Sequence, residues 1–193
     1  MAEPRRTRPS TFRCIAAALL ALVVVVAIVV ILWLVLHPSK LHFSVDHAAS
    51  TGFNITAAGA LTGAFDLTLR SCNWNERAAV SFHSLQVGVW CSGAYIAGAV
   101  APGFLQPPEN ETRIDVVAQA ASTEVLPRNV EALIKKDRTG GKLKVDVHVR
   151  AKVRFQYGVV RTRRYTVRAS CPAVAIDFVS PTSFQQVSCH VYI

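Results

Sequence analysis

An uninterrupted apolar stretch near the N-terminus is the strongest pattern of hydrophobic and polar positions in the chain. Residues 15–36, IAAALLALVVVVAIVVILWLVL, include no charged side chain, no Gly and no Pro. As an α-helix they would extend over about 33 Å, against roughly 30 Å for the hydrocarbon core of a bilayer. A helix that is apolar on every side needs a large protein core or lipid around it, and the remaining residues are too few to enclose it. The pattern therefore predicts a transmembrane helix.

A cleaved signal peptide is the alternative interpretation of this stretch. The apolar region of a signal peptide usually has about 7–15 residues and ends at a small-x-small cleavage site. Here the apolar run is longer, and Trp33, Leu34 and Leu36 precede His37 and Pro38 where a pair of small residues would be needed. We therefore expect the helix to remain attached as an anchor.

The charges on either side of the apolar stretch predict its orientation. Four arginines lie in residues 1–14, whereas Lys40 is the one Lys or Arg between the apolar stretch and Asp46. The more basic flank of a membrane helix stays in the cytosol. We therefore expect a basic cytosolic tail over residues 1–14, and a domain over residues 37–193 that faces the lumen and then the outside of the cell.

Beyond Pro38 the pattern changes to alternating apolar and polar residues, which is the period of half-buried β-strands. Leu41, Phe43 and Val45 are the first apolar positions of this alternation. The predicted strands cover residues 41–45, 53–55, 65–69, 80–91, 95–100, 112–120, 142–157 and 165–169. A phase shift near His83 in the fourth predicts a β-bulge there.

One segment interrupts the strands with a helical period. Pro127 suits the first turn of a helix, Val130, Leu133 and Ile134 share a face, and Gly140 ends it. The strand at residues 142–157 would be about 50 Å long, so we expect it to bend or to cross between sheets. Several short strands and almost no helix predict an all-β domain, a two-sheet β-sandwich with one short helix.

The five cysteines divide between the two sides of the membrane. Cys14 lies at the cytosolic edge of the helix, where it is either S-acylated or simply a small apolar residue. The other four lie in the exported part, where an oxidising space favours two disulfides, or one disulfide and two free thiols. We expect Cys171 to pair with Cys189, which would stabilise the fold by about 3 kcal/mol and hold the C-terminal tail. Cys72 and Cys91 form the remaining pair, although a simple hairpin would place Cys72 nearer to Ser81.

Two N-glycosylation sequons lie in the exported part, at Asn54 and at Asn110. Glycosylation needs an accessible Asn with a hydroxyl two residues later, which Thr56 and Thr112 supply. Asn110 follows two prolines in a polar loop, and Asn54 lies in a predicted strand that is close to the membrane in sequence. We expect Asn110 to be the better acceptor, and either triplet can also arise by chance.

A strongly basic segment marks the second half of the domain. Between residues 138 and 168 the chain has ten Lys or Arg residues and a single acid, Asp146. The candidate residues for binding an anionic partner are Arg150, Lys152, Arg154, Arg161, Arg163 and Arg164. One interpretation is a solvated face that prevents aggregation between strand edges. The other is attraction to anionic lipid headgroups or to acidic cell-wall polysaccharide. Nucleic acid is excluded by the compartment, and no aromatic stacking platform accompanies these charges in the sequence.

Motifs for catalysis are absent from the sequence. The six histidines show no HExxH spacing, no two cysteines are spaced as CxxC, and there is no GxSxG elbow or phosphate-binding loop. We therefore expect a protein that is not an enzyme and that uses no metal and no cofactor.

Short motifs along almost the whole chain match those of a known family. They are Cys14 with the anchor, residues 31–45, Asn73-Trp74-Asn75, Phe104-Leu105-Gln106, Asn110-Glu111-Thr112 and the hairpin from Gly158 through Tyr165 to Cys171. With them the chain resembles the membrane-anchored plant proteins called harpin-induced-like or non-race-specific-disease-resistance-like, of the late-embryogenesis-abundant group 2 family. The chain departs from the family at Trp74, where Pro is usual, and at Cys72 and Cys91.

The resemblance implies an immunoglobulin-like (fibronectin-III-like) sandwich, a plasma-membrane location and a role in defence against pathogens or in abiotic stress. It implies no catalytic residues. Our first hypothesis is a non-catalytic protein that binds partners through its extracellular domain. The second is a structural tether that joins the bilayer to anionic wall polymer. Protection against desiccation by surface hydration suits a disordered chain better than a folded, moderately apolar domain.

Overall fold

The structure is a computed structural model that describes residues 11–36, 41–56, 59–120, 126–178 and 184–192. The chain forms two compact units, Met1–Pro38 and Ser39–Ile193. The first contains helix α1, Thr11–Leu36, which begins four residues before the predicted start. Its segment Arg13–Val30 has a mean hydropathy of 2.9, and none of its residues is buried. This helix is long and apolar enough to cross a membrane, a property that signal sequences near an N-terminus share.

The second unit, which we call the β-domain, consists mostly of strands, as the alternation predicts. The strands are β1 His42–Ile55, β2 Leu61–Asn73, β3 Ala79–Cys91, β4 Ala94–Gln106, β5 Asn110–Ala120, β6 Lys142–Tyr157, β7 Val160–Arg161, β8 Tyr165–Asp177, β9 Val187–Ser188 and β10 His190–Tyr192, and the short helix is α2, Arg128–Thr139. The predicted bulge is confirmed, because the register of β3 against β6 shifts between Phe82 and Ser84.

The strands form one antiparallel sheet that nearly closes into a barrel. Its order is β10-β8-β6-β3-β4-β5-β2-β1-β9, with β7 paired to the end of β6. Strands β9 and β10 are separated by Cys189 alone, so a single C-terminal tail pairs with the edge of β1 on one side and with the edge of β8 on the other. The tail therefore covers a short part of each edge that the rest of the sheet leaves open.

Strand β4 is longer than predicted and is only loosely joined to β5. It runs through Pro102 and Gly103, where the sequence pattern predicts its end. Pro102 lies where β4 pairs with β3 alone, which is the edge-like setting in which sheets tolerate Pro. A Cβ on Gly103 would lie 2.5 Å from the carbonyl oxygen of Phe82 and 2.9 Å from that of His83. Glycine therefore lets β4 pass the bulge of β3.

The β-domain has its own hydrophobic core. Its largest fully buried apolar side chains are Phe65, Phe155, Leu41, Leu61, Leu67, Leu69, Leu85, Ile96, Ile134, Leu143 and Ile176. Helix α2 contributes Val130 and Ile134 to this core, as predicted, whereas Leu133, predicted on the same face, lies at its margin and is 37% exposed. Among the described residues every buried apolar side chain belongs to the β-domain. We therefore treat the β-domain as a unit that folds without α1.

The two ends of the β-domain carry different turns. We call the end at which β1 begins the near end. The β2–β3 turn and the β6–β7 hairpin lie there, because His42 pairs with Cys72 and Ala79 pairs with Gln156. The far end carries the β3–β4 turn that follows Cys91.

Candidate binding surfaces

The first three predicted cations lie side by side on one strand. Arg150, Lys152 and Arg154 alternate with buried residues on the outer face of β6. Arg168 of β8 pairs directly with Arg150 and extends the set, which we call the β6 row. Arg150, Lys152 and Arg168 are exposed, and none of the four forms an ion pair with a residue that the structure describes. The β6 row is therefore an uncompensated basic surface.

The other three predicted cations lie at the near end. Arg161 ends β7, and Arg163 and Arg164 follow it before β8, all three exposed. The guanidinium carbon of Arg163 lies 5.3 Å from the centre of the Tyr165 ring, a cation–π distance that orients this side chain. We call these three residues the hairpin arginines. The structure thus divides the six predicted residues into two separate surfaces.

An aromatic groove adjoins the β6 row. The sequence pattern does not predict this groove. The groove has a volume of about 560 Å³ and is lined by Trp90, Tyr95, His148 and Arg150 among others. The ring of Trp90 lies 5.4 Å from that of Tyr95 and 6.0 Å from that of His148, both edge-on. The expectation that no aromatic platform accompanies the charges is therefore wrong. Pairing of β3 with β4 and β6 brings together rings that lie far apart in the sequence.

Two paired glycines form the floor of this groove. Gly88 of β3 pairs with Gly98 of β4. A Cβ on Gly98 would overlap the Tyr95 hydroxyl, and a Cβ on Gly88 would lie 3.1 Å from Nε1 of Trp90. Both rings therefore rest directly on the backbone of the sheet. Rings that cover glycines in this way stabilise a sheet, and Tyr95, which is 37% exposed, also presents part of its ring to the groove.

Buried amide side chains explain the family motifs at the near end. Gln106 is fully buried, and its Nε2 donates to the carbonyl oxygens of Ser71 and Asn110 at 2.7 and 2.8 Å. The Nδ2 of Asn73 donates to the carbonyl oxygens of Ala78 and Pro107, both at 2.8 Å. These bonds join the β2–β3 turn to the β4–β5 turn. The buried amides of Asn73 and Gln106 therefore stabilise the fold by joining these turns.

The cysteines form one of the two predicted bonds. Cys171 and Cys189 are joined as predicted. Cys72 and Cys91 are free thiols, so the prediction that they pair is wrong. Cys72 lies at the near end beside His42, whereas Cys91 lies at the far end of β3. Strand β2 pairs with β1 and β5 instead of β3, so the two thiols never approach.

The free thiols lie in environments that suppress their reactivity. Burial raises the pKa of Cys91 to about 11, and nearby Asp137 and Asp146 contribute to the shift. Burial also raises the pKa of Cys72, and the carboxylate of Glu111 adds to the effect. Both residues are therefore almost fully protonated at neutral pH, and the thiol is a poor nucleophile. Cys14 is exposed on α1, and its S-acylation stays a prediction.

The two sequons are exposed at opposite ends of the β-domain. Asn110 begins β5 at the near end, and the Thr112 hydroxyl donates to its Oδ1 at 3.5 Å. Asn54 lies close to the end of β1, which carries it away from His42 at the near end. Its Oδ1 accepts a hydrogen bond from the backbone N–H of Ile55 at 3.0 Å. Modification of Asn110 and of Asn54 stays a prediction.

Groups for metal binding are not assembled in the described part of the chain. There, no three His, Cys, Asp or Glu side chains are placed to hold one ion. The acids that do contact a cation form structural pairs, such as Asp46, whose Oδ2 lies 2.6 Å from Nη2 of Arg70.

Comparison with known proteins places the chain in a family. The family model described as "Late embryogenesis abundant protein" matches residues 68–171, which is more than half of the chain. An uncharacterized protein of Arabidopsis thaliana is 28% identical over 96% of this chain and 84% of its own length. NDR1/HIN1-like protein 2 of the same plant is 24% identical over 82% of this chain and 68% of its own length. NDR1/HIN1-like protein 26 is 26% identical, with coverages of 76% and 70%.

Two solved structures resemble the chain at low similarity. A protein from Archaeoglobus fulgidus has a TM-score of 0.32 and 9% identity, and the match covers 67% of this chain and 97% of that one. A protein from Arabidopsis thaliana, solved in solution, has a TM-score of 0.34 and 12% identity, with coverages of 72% and 85%. On the match to the family model and to its curated relatives, the chain belongs to the late embryogenesis abundant group 2 family, in the NDR1/HIN1-like branch.

Proposed function

We propose that the chain is a non-catalytic, single-pass plasma-membrane protein that acts in plant defence or stress response by binding partners. Helix α1 would be the uncleaved anchor, with the N-terminus in the cytosol and the β-domain outside the cell. We also propose that the barrel-shaped sheet is a variant of the immunoglobulin-like, fibronectin-III-like sandwich. The defence or stress role rests on membership of the family. The topology rests on this chain.

The observation that carries this topology is the disulfide between Cys171 and Cys189. Structural disulfides persist in oxidising spaces such as the secretory lumen and the cell exterior, and they are rare in the cytosol. The same chain has an unburied apolar helix with arginines before it. A basic flank that stays inside and a disulfide domain that goes outside require the same orientation.

Protease protection of plant microsomes tests this orientation. We expect added protease to remove only the short cytosolic tail and to leave the β-domain intact until detergent opens the membrane. Glycosidase treatment is expected to increase the mobility of the protected fragment on a gel, and Asn110→Gln is expected to abolish most of that shift. Asn54→Gln serves as the matched variant. Digestion of the β-domain in intact microsomes would contradict the proposal, and so would a mature chain that starts beyond residue 37.

The structure also favours a second candidate function, a tether to acidic wall polysaccharide. The β6 row supplies cations that lack ionic partners among the described residues, and the groove beside it supplies the partly exposed rings of Trp90 and Tyr95. Sugar rings pack their apolar faces on aromatic side chains, and uronate carboxylates pair with guanidinium groups. Arg150 belongs to both the row and the groove, so it would join the two kinds of contact.

Charge reversal tests the tether. We expect the β-domain with Arg150→Glu, Lys152→Glu and Arg154→Glu to bind immobilised polygalacturonate at least about tenfold more weakly than the unchanged β-domain, since three attractive pairs become repulsive. The matched control reverses the hairpin arginines, which carry the same charge elsewhere, and we expect it to retain most of the binding. If the unchanged β-domain fails to bind the polymer at low salt, the tether is excluded and the β6 row is a solvated face.

A further inference from the structure

We propose that the near end of the β-domain docks on a lipid surface. Val159, Val160 and Trp74 would enter the interfacial layer of the bilayer, and the hairpin arginines would bind the phosphate groups of the lipids. This inference rests on the proposed function, because it requires the bilayer that α1 spans. It adds a second contact with that bilayer, made by the β-domain itself.

The apolar side chains at the tip of the β6–β7 hairpin carry the proposal. Val159 is 98% exposed and Val160 is 56% exposed. Gly158, with a φ of +57°, supplies the left-handed residue that such a tight turn requires. The positive φ of this two-residue turn falls on Gly158, so the second position, Val159, can be taken by any residue, polar ones included. The turn therefore gives no reason for a valine in water, whereas a lipid surface does.

Trp74 places a third apolar side chain at the same end. It lies in the β2–β3 turn and is 67% exposed. Its ring lies 5.7 Å from the ring of His42, and the buried Asn73 holds the turn through its bonds to Ala78 and Pro107. Tryptophan is the side chain that concentrates at membrane–water interfaces, because its ring is apolar and its N–H is polar.

The hairpin arginines give the tip a charge that matches phosphate. All three are exposed and none pairs with an acid in the described residues. Guanidinium groups bind phosphate oxygens through paired hydrogen bonds. The acids of the near end lie on the Trp74 side of it, because Glu109 and Glu111 line a pocket with Trp74 and Glu76 belongs to the same β2–β3 turn. The side formed by the β6–β7 hairpin is therefore expected to approach the lipid first.

The apolar tip distinguishes lipid from the acidic wall polymer of the tether. An acidic polymer would also attract the arginines, but it offers no apolar phase for Val159 and Val160. The exposed valines therefore favour lipid as the occupant.

Depth measurement by spin labelling tests the proposal in the full-length chain. The chain carries Cys14→Ser and Cys72→Ser, is reconstituted in nanodiscs of phosphatidylcholine and phosphatidylglycerol, and receives one label at Val159→Cys. The matched control is Val100→Cys, at a valine of β4 that is 71% exposed. We expect the Val159 label to be accessible to oxygen and protected from a water-soluble nickel chelate, and the Val100 label to show the reverse.

Charge reversal separates the contribution of the hairpin arginines to lipid docking from that of the β6 row. With Arg161→Glu, Arg163→Glu and Arg164→Glu we expect the Val159 label to move to the accessibility of the Val100 label. Reversal of Arg150, Lys152 and Arg168 to Glu is expected to leave it in lipid. Equal nickel accessibility of both labels in the unchanged chain would overturn the inference, as would protection that appears only when polygalacturonate is added. A chain that does not enter nanodiscs at all would overturn the proposed anchor as well, so the two failures are distinguishable.

Discussion

Cys189→Ser is expected to lower the free energy of unfolding of the β-domain by about 3 kcal/mol. The bond to Cys171 closes a loop with a sequence separation of 18 residues. Breaking it gives the unfolded chain more freedom. It also releases a tail whose two strands are only two and three residues long. Strands that short have too few hydrogen bonds to stay paired without the covalent link.

The release of the tail has a second consequence for the sheet. Cys189 donates its backbone N–H to the carbonyl oxygen of Phe43 at 2.9 Å, and the residues on either side of it pair with β1 and with β8. Without the tail, the residues of β1 and β8 that it covers present additional unpaired backbone groups at the edges of two long strands. Exposed strand edges of this kind pair with other chains. We therefore expect the variant to aggregate at concentrations at which the unchanged β-domain stays monomeric.

Urea denaturation followed by circular dichroism measures the first effect, and light scattering measures the second. Cys72→Ser is the matched control, because it removes a free and half-buried thiol, and we expect it to change stability by well under half of the loss at Cys189. Reductant should destabilise the unchanged β-domain and leave Cys189→Ser unaffected. The stabilising role given to the disulfide would be wrong if Cys189→Ser and Cys72→Ser unfolded at the same urea concentration.

The sequence predicts elements that repeat a pattern over many residues. Residues 15–36 are apolar throughout and form most of α1, and the alternation of residues 142–157 covers β6 from its first residue to its last. The tail could not be predicted in the same way. Strands β9 and β10 are too short to show a period, and they form because two edges lie within their reach.

Pairing between distant strands limits what the sequence reveals about the candidate sites. Cys72 and Cys91 are predicted partners because they are the two exported cysteines that remain once Cys171 is paired with Cys189. The sheet order, however, places β5 and β4 between β2, which carries Cys72, and β3, which carries Cys91. The groove beside Arg150 is hidden for the same reason, since Trp90, Tyr95 and His148 come from three strands. Each of these features depends on which strands become neighbours, and local periodicity carries no information about that.

Gln106→Leu is expected to lower the free energy of unfolding by about 3 kcal/mol, although the two side chains are similar in size. In the unchanged protein the Nε2 of Gln106 donates to two backbone carbonyls, and its Oε1 accepts from the Ser71 hydroxyl at 3.0 Å. Leucine would remove this partner from the buried hydroxyl and carbonyl of Ser71 and from the partly buried carbonyl of Asn110. Buried polar groups that lose their hydrogen bonds cost more than the bonds themselves contribute.

The matched control for Gln106→Leu is Gln119→Leu, at an exposed glutamine of β5, which should change stability by less than about 0.5 kcal/mol. Hydrogen exchange adds a spatial test. Because Gln106 joins the β4–β5 turn to Ser71 of β2, we expect Gln106→Leu to speed exchange first at the near end, while amides in the middle of β6 stay protected. Equal stability of the two variants would show that the near-end turns are held by something other than this buried amide, and the structural role assigned to the motif around Gln106 would fall.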